Sequence, residues 1–146
     1  MYLKAGGLLS FVAALLHVLI IMGGPAWYRF FGAGEEMARM AEDGSSYPIF
    51  VTAAIALTLT IWGLYALSGA GIIRRLPFLK PVLVIISIIL LLRGILGVPL
   101  ALTIDHPYLN ELAEKLIFMI LSSVISLSMG LLYFQGLRQM SRKPMD

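Results

Sequence analysis

Lys80-Pro81-Val82-Leu83-Val84-Ile85-Ile86-Ser87-Ile88-Ile89-Leu90-Leu91-Leu92-Arg93-Gly94-Ile95-Leu96-Gly97-Val98-Pro99-Leu100-Ala101-Leu102-Thr103 is the stretch whose reading decides the fold. From Pro81 to Thr103 it is almost wholly apolar, and about 20 such residues cross a bilayer as a helix. Arg93 breaks the pattern near the middle. A guanidinium at that depth costs about 2.5 kcal/mol or more to insert, so it persists where a partner side chain, water or a ligand faces it. The rest of the chain reads as the housing for that position.

Composition agrees. The 146 residues are 60% hydrophobic and 13% charged, with a mean hydropathy of +0.92. A soluble domain carries about 25% charged residues, so this chain falls in the membrane class. Its length suits one compact bundle, 1–146, with no separate soluble domain. The absence of cysteine removes disulfides, thiolate metal sites and thiol redox chemistry. No basic stripe interleaved with aromatics lies outside the apolar segments, which argues against nucleic acid as a partner. No phosphate loop or dinucleotide motif is present, and no cofactor is expected.

The apolar runs predict spans at about 5–23, 48–67, 81–103 and 112–132. The first follows Lys4, contains His17 and lacks an Ala-x-Ala site after it, which favours a retained helix over a cleaved leader. Small residues recur every fourth position: Gly6, Ser10 and Ala14; Thr52, Ala56 and Thr60; Ser122, Ser126 and Gly130. Such stripes allow helices in lipid to approach closely. Gly23-Gly24-Pro25 ends the first span, and Trp27, Tyr28, Phe30 and Phe31 then bracket Arg29 as an interfacial belt. Glu35 to Asp43 reads as a short amphipathic helix with Met37, Met40 and Ala41 as its apolar edge. Pro99 is expected to weaken or kink the third span. Asn110, Glu111, Glu114 and Lys115 are expected to begin the fourth span's helix.

Charge sets the expected orientation. Lys4, Arg74, Arg75, Lys80, Arg138, Arg142 and Lys143 fall on one side, opposed by Asp146. The other side holds Glu35, Glu36, Glu42, Asp43, Asp105, Glu111 and Glu114 against Arg29, Arg39 and Lys115. The positive-inside rule then places both termini in the cytoplasm and the aromatic first loop outside, for a multi-pass protein of an inner membrane.

Depth along the helices suggests a site. At 1.5 Å per residue, Arg93 lies about 15 Å below the outer end of its span, His17 about 9 Å, and Ser122 and Ser123 about 15 Å, with Thr58 and Thr60 at similar depth. These groups, with Ser126, predict a polar chamber opening outward and roofed by Trp27, Tyr28, Glu35 and Glu36. Arg93 would bind an anion through its planar fork, and His17 would assist as donor or proton acceptor. The competing role for Arg93 is an ion pair with Glu35 or Glu36, or bonds to carbonyls opened by Pro99. For His17 the competing role is a hydrogen bond to a neighbouring helix. No metal is expected, since His17 and His106 differ in depth and no His-x-x-x-His or Glu-x-x-His occurs. No catalytic residue stands out either: Ser122 and Ser126 lie on a packing stripe and Gly-x-Ser-x-Gly is missing.

Gly23-Gly24-Pro25-Ala26-Trp27-Tyr28, Trp62-Gly63-Leu64-Tyr65-Ala66-Leu67-Ser68-Gly69-Ala70-Gly71 and Leu92-Arg93-Gly94 resemble segments of small four-span membrane proteins of Gram-negative bacteria. That resemblance implies the fold and carries no activity. The chain is similar in size to the small multidrug-resistance exporters, but His17 stands where they have an intramembrane glutamate. It also lacks the Glu-Arg and Asn signature of the MAPEG enzymes. The sequence therefore predicts an all-α four-helix transmembrane bundle with a short amphipathic helix in its first outer loop. The expected role is to bind an amphiphilic or anionic ligand without catalysis, as a transport accessory. The alternatives are a membrane enzyme acting on a lipid or quinone-like substrate, with His17 as base, and an assembly subunit. The expected partners are membrane lipid and a second copy or another membrane protein.

Overall fold

The structure is a computed structural model and describes residues 1–142. Lys143 and Asp146, counted in the charge asymmetry above, lie outside the described residues. The described chain is helical, with seven helices in the order α1 (Tyr2–Gly23), α2 (Pro25–Phe30), α3 (Glu35–Glu42), α4 (Tyr47–Gly69), α5 (Leu79–Thr103), α6 (Pro107–Glu114) and α7 (Leu116–Arg142). Four of them, α1, α4, α5 and α7, are long and apolar enough to cross a membrane. Large apolar side chains such as Leu8, Leu15, Phe50, Ile85, Ile117 and Ile125 point outward. In water that surface would be an aggregation hazard, whereas in lipid it is the solvated face. The protein is a multi-pass membrane protein built as a four-helix bundle.

The long helices run alternately up and down, and neighbours in sequence are neighbours in space. α1 packs on α4 and α7, and α5 packs on α7 and α4; among the described residues the backbones of α1 and α5 do not come close, and the two helices share only the core round Leu3, Leu79 and Leu83. Lipid tails are as apolar as leucine, so burial of apolar area cannot by itself hold these helices together; close packing and interhelical hydrogen bonds must. The small-residue stripes serve that purpose. A Cβ added at Gly7 would lie 3.2 Å from Ala66 Cβ and the Gly63 carbonyl of α4. One at Gly94 would lie 2.7 Å from the Leu127 backbone nitrogen of α7, and one at Gly130 would lie 2.9 Å from the Leu91 nitrogen of α5.

One polar node ties three helices at mid-bundle. Tyr133 of α7 is fully buried, and its hydroxyl donates to the Trp62 carbonyl of α4 at 3.0 Å. It also lies 2.8 Å from Ser10 Oγ of α1, which donates to the Gly6 carbonyl at 3.0 Å. Ser87 of α5 donates to the Gly130 carbonyl at 3.1 Å. The apolar core below this node is Leu3, Ala66, Leu79, Leu83, Ile86, Leu90, Met129 and Tyr133, with Trp62, Tyr65 and Val82 packed against it.

The short helices form a cap at one end. Gly24 takes φ +65°, a conformation that favours glycine, and turns the chain from α1 into α2, where Pro25 starts the new helix. α2 and α3 fold onto each other and onto the ends of α1 and α4. Ile20, Tyr28 and Ala38 make their core. The amphipathic helix buries Ala38 fully, while Met37 and Met40 stay half-buried, because its inner face is turned to Tyr28. One boundary, the start of the fourth span, differs from expectation. The residues 107–114 form a separate helix, and the fourth span begins at Leu116. α5 continues through Pro99 to Thr103, whose hydroxyl donates to the Pro99 carbonyl at 2.7 Å.

Candidate functional site

Arg93 sits about three-fifths of the way along α5 from the end opposite the cap. α5 has 25 residues, about 37 Å of helix against about 30 Å of hydrocarbon, so Arg93 lies within the apolar slab. Its helical phase is informative. The buried residues Leu79, Leu83, Ile86 and Leu90 form one stripe, and Arg93 extends it, seven residues beyond Ile86 and three beyond Leu90. A residue on that stripe should be covered, yet Arg93 is exposed. It makes no hydrogen bond or ion pair among the described residues.

The cause lies on α4. In the half away from the cap, Trp62, Tyr65 and Ala66 cover the α5 stripe. The same face of α4 continues toward the cap as Val51, Ala54, Ile55, Thr58 and Leu59, at the spacing of one helix stripe. There it lines an open groove of about 380 Å³ that ends on Trp62. No buried apolar cluster joins this part of α4 to α5; the far part of α5, at Val98 and Ala101, packs instead with Leu109 and Met119. The two helices thus part above Trp62 and Leu90. The groove is thus an apolar wall on α4, and Arg93 continues, on α5, the stripe that Trp62 covers lower down. Thr58 donates to the Ala54 carbonyl at 2.8 Å, so its hydroxyl adds no free donor to the wall.

The other residues singled out by sequence are placed elsewhere. His17, half-buried on α1, donates from Nδ1 to the Ala13 carbonyl at 2.7 Å, within its own helix. Ser122 donates to the Met119 carbonyl at 3.0 Å, and Thr60 to the Ala56 carbonyl at 2.8 Å. Ser126 is buried on α7. The hydroxyls of Ser122 and Thr60 satisfy themselves on their own backbone, as isolated hydroxyls in apolar helices do. The polar groups therefore do not converge round one chamber with Arg93, whose helix has no close backbone approach to α1 or to the cap helices α2 and α3 among the described residues. The ion pair of Arg93 with Glu35 or Glu36 is likewise not formed. Glu36 is exposed, and Glu35 belongs to another cation.

That cation is Arg29. Its guanidinium grips both oxygens of Glu35 at 2.8 Å and Glu42 at 2.7 Å. Arg39 adds a longer contact to Glu35 at 3.4 Å. The hydrogen bonds from Arg29 hold the Glu35 carboxyl down to about 2 and lower that of Glu42, while Arg29 itself is raised further above its usual range. The clasp reaches across the bundle: the Glu35 backbone N–H donates to Glu111 at 3.0 Å, and Lys115 donates to the Arg29 carbonyl at 2.6 Å. Phe31 meets Phe118 edge-on at 6.4 Å. Trp27 sits at the rim, 39% exposed, and Tyr28 is 1% exposed with a hydroxyl that has no partner. Trp27, Tyr28 and Glu35 are thus brought together as a sealed cap and not as the roof of the Arg93 site.

Sequence reasoning missed the α4 wall and the role of Arg29. Trp62 was the signal for the wall, a large aromatic away from either interface. The bracketing of Arg29 by aromatics was the signal for the clasp. No cluster of metal-ligating side chains occurs among the described residues. Comparison of the chain with protein-family models, curated proteins and solved structures finds no match.

Proposed function

We propose that the protein binds one anionic amphiphile in the cleft between α4 and α5. Arg93 takes the anionic group through its fork, and the stripe from Val51 to Trp62 takes the apolar chain. The observation that carries this reading is the exposed, unpaired Arg93 on the core-facing stripe of a membrane helix. An intramembrane guanidinium without a protein partner marks a ligand or ion path by default. The groove of about 380 Å³ on α4 supports that role, being concave and mostly apolar. The cleft opens sideways, so the ligand is drawn from the bilayer. A transport-accessory role follows for a protein that holds such a ligand without chemistry.

The charge asymmetry supports an inner-membrane protein with cytoplasmic termini and the cap outside. The alternatives have less support. An enzyme using His17 with Arg93 needs both near one substrate, and the backbones of their helices do not come close. An assembly subunit needs small-residue faces free for a partner, and Gly7, Gly94 and Gly130 are spent inside the bundle.

The test is native mass spectrometry of the detergent-purified protein, wild type beside Arg93→Ala. The expected result is a lipid-sized anionic adduct on the wild type that is lost from a folded mutant. Equal adducts on both proteins, or none on either with a mutant that unfolds, would overturn the reading.

A further inference from the structure

At the end away from the cap, residues 70–78 join α4 to α5. Arg74 and Arg75 are exposed there, and Lys80 is exposed in the first turn of α5. Such charges suffice to orient a membrane protein, and orientation needs no defined loop shape. This loop has one. Ser68 Oγ accepts the Leu76 N–H at 2.9 Å and donates to the Arg74 carbonyl at 3.1 Å. The Tyr65 hydroxyl donates to the Pro77 carbonyl at 3.2 Å. Leu79 is buried in the core.

Between these anchors Phe78 adopts φ +53°, the one positive φ of a non-glycine residue among the described residues. A bulky side chain is a poor choice for that conformation, and glycine would occupy it without strain. Backbone strain of this kind is found where a side chain is being presented for use. Here the strain presents an aromatic ring that is 79% exposed, at the depth where rings sit in a membrane interface. The run 75–81 curves round an open concavity of about 560 Å³, a volume in the range of small-molecule sites, about 300–1,000 Å³.

We propose that this loop is a headgroup site for an anionic phospholipid. Arg74, Arg75 and Lys80 hold the phosphate and its neighbouring oxygens, and Phe78 lies between the upper acyl segments of the same leaflet. The charge complementarity names the occupant: three cations on a fixed backbone beside an apolar wedge match an anionic head joined to an apolar tail. The site lies at the opposite end of α5 from the cleft and does not depend on the reading of Arg93.

The test titrates the purified full chain in detergent with phosphatidylglycerol or phosphatidylcholine and reads bound lipid by native mass spectrometry. Wild type should prefer phosphatidylglycerol by about tenfold or more. The triple variant Arg74→Gln, Arg75→Gln, Lys80→Gln should lose that preference while keeping its helical circular dichroism, because Ser68 and Tyr65 hold backbone atoms of the loop. Lys80→Gln alone, outside the pinned segment, should lose part of it. Phe78→Gly, which relieves the strain and deletes the ring, should weaken both lipids. Arg93→Gln should leave the preference intact. Equal binding of the two lipids by wild type, or an unchanged preference in the triple variant, overturns the proposal. A preference lost in Arg93→Gln and kept in the triple variant would move the anionic lipid to the cleft, which defeats this site and supports the other.

Discussion

The two faces of α5 differ in what they let a neighbour do. Toward α7, Gly94 and Gly97 remove side chains at the contact, and Gly130 answers from the other helix. The backbones close up, and Ser87 bonds across the seam. Toward α4, the buried cluster reaches only as far as Trp62 and Leu90, and beyond Trp62 an open groove runs along α4. In lipid a helix contact lasts where small residues permit dense packing and lapses where they do not. The close packing on α7 fixes α5 along its length, which sets the depth at which Arg93 is carried.

The contrast can be broken hardest at Gly94. A side chain there meets Leu127 backbone atoms at 2.7 and 2.8 Å, which cannot swing aside. Gly94→Leu should cost more than about 3 kcal/mol, beyond the usual range for overpacking, read as loss of the folded state in a detergent unfolding series. Gly97→Ala meets only the Ser123 hydroxyl, at 2.8 Å, which can rotate, and should cost about 1 kcal/mol. Equal losses at the two glycines would refute the view that backbone contact seals this face. Tyr133→Phe removes the hydroxyl that links α4 and α1 to α7. It should cost about 0.6–1 kcal/mol in the same assay.

Smaller still is the expected effect of Arg93→Gln on stability, within about 0.5 kcal/mol, the usual range for a side chain that packs against nothing. A large destabilisation would make Arg93 part of the structural seam and sink the contrast between the faces. Acid should act on the cap alone. Glu35 falls from 4.5 to about 2 in the folded protein because Arg29 bonds it. A depressed carboxyl contributes stability above its ordinary pKa and loses it as pH falls through the folded value. The clasp should therefore hold at neutral pH and loosen between about pH 4.5 and 2, to a modest extent because its charges are partly exposed. Trp27 lies in this cap, so a change in its fluorescence over that window, with no change in helix content, is the expected signature. Loosening on raising the pH instead would refute the clasp.

Much of the fold was legible along the chain. Span length and apolar composition are one-dimensional properties, and the bilayer converts them directly into helices. The small-residue stripes and the acidic start of α3 were equally visible. The candidate site was legible only as one residue, Arg93. A helix apolar all round carries no periodicity to show which side faces its neighbours, so the partner of Arg93 had to be guessed from depth. Depth grouped it with His17, Ser122 and the first loop, and these lie on other faces or satisfy themselves on their own backbone.

What the sequence by itself determined is that this is a four-span helical membrane protein with a charge at mid-helix. Those features follow from the cost of exposing polar groups to hydrocarbon. What only the tertiary structure decided is where that charge points. The order of the helices round the bundle, the closing of α5 on α7 and its parting from α4 depend on pairwise fit between side chains far apart in the chain. Steric complementarity of that kind becomes readable only when the helices are set side by side.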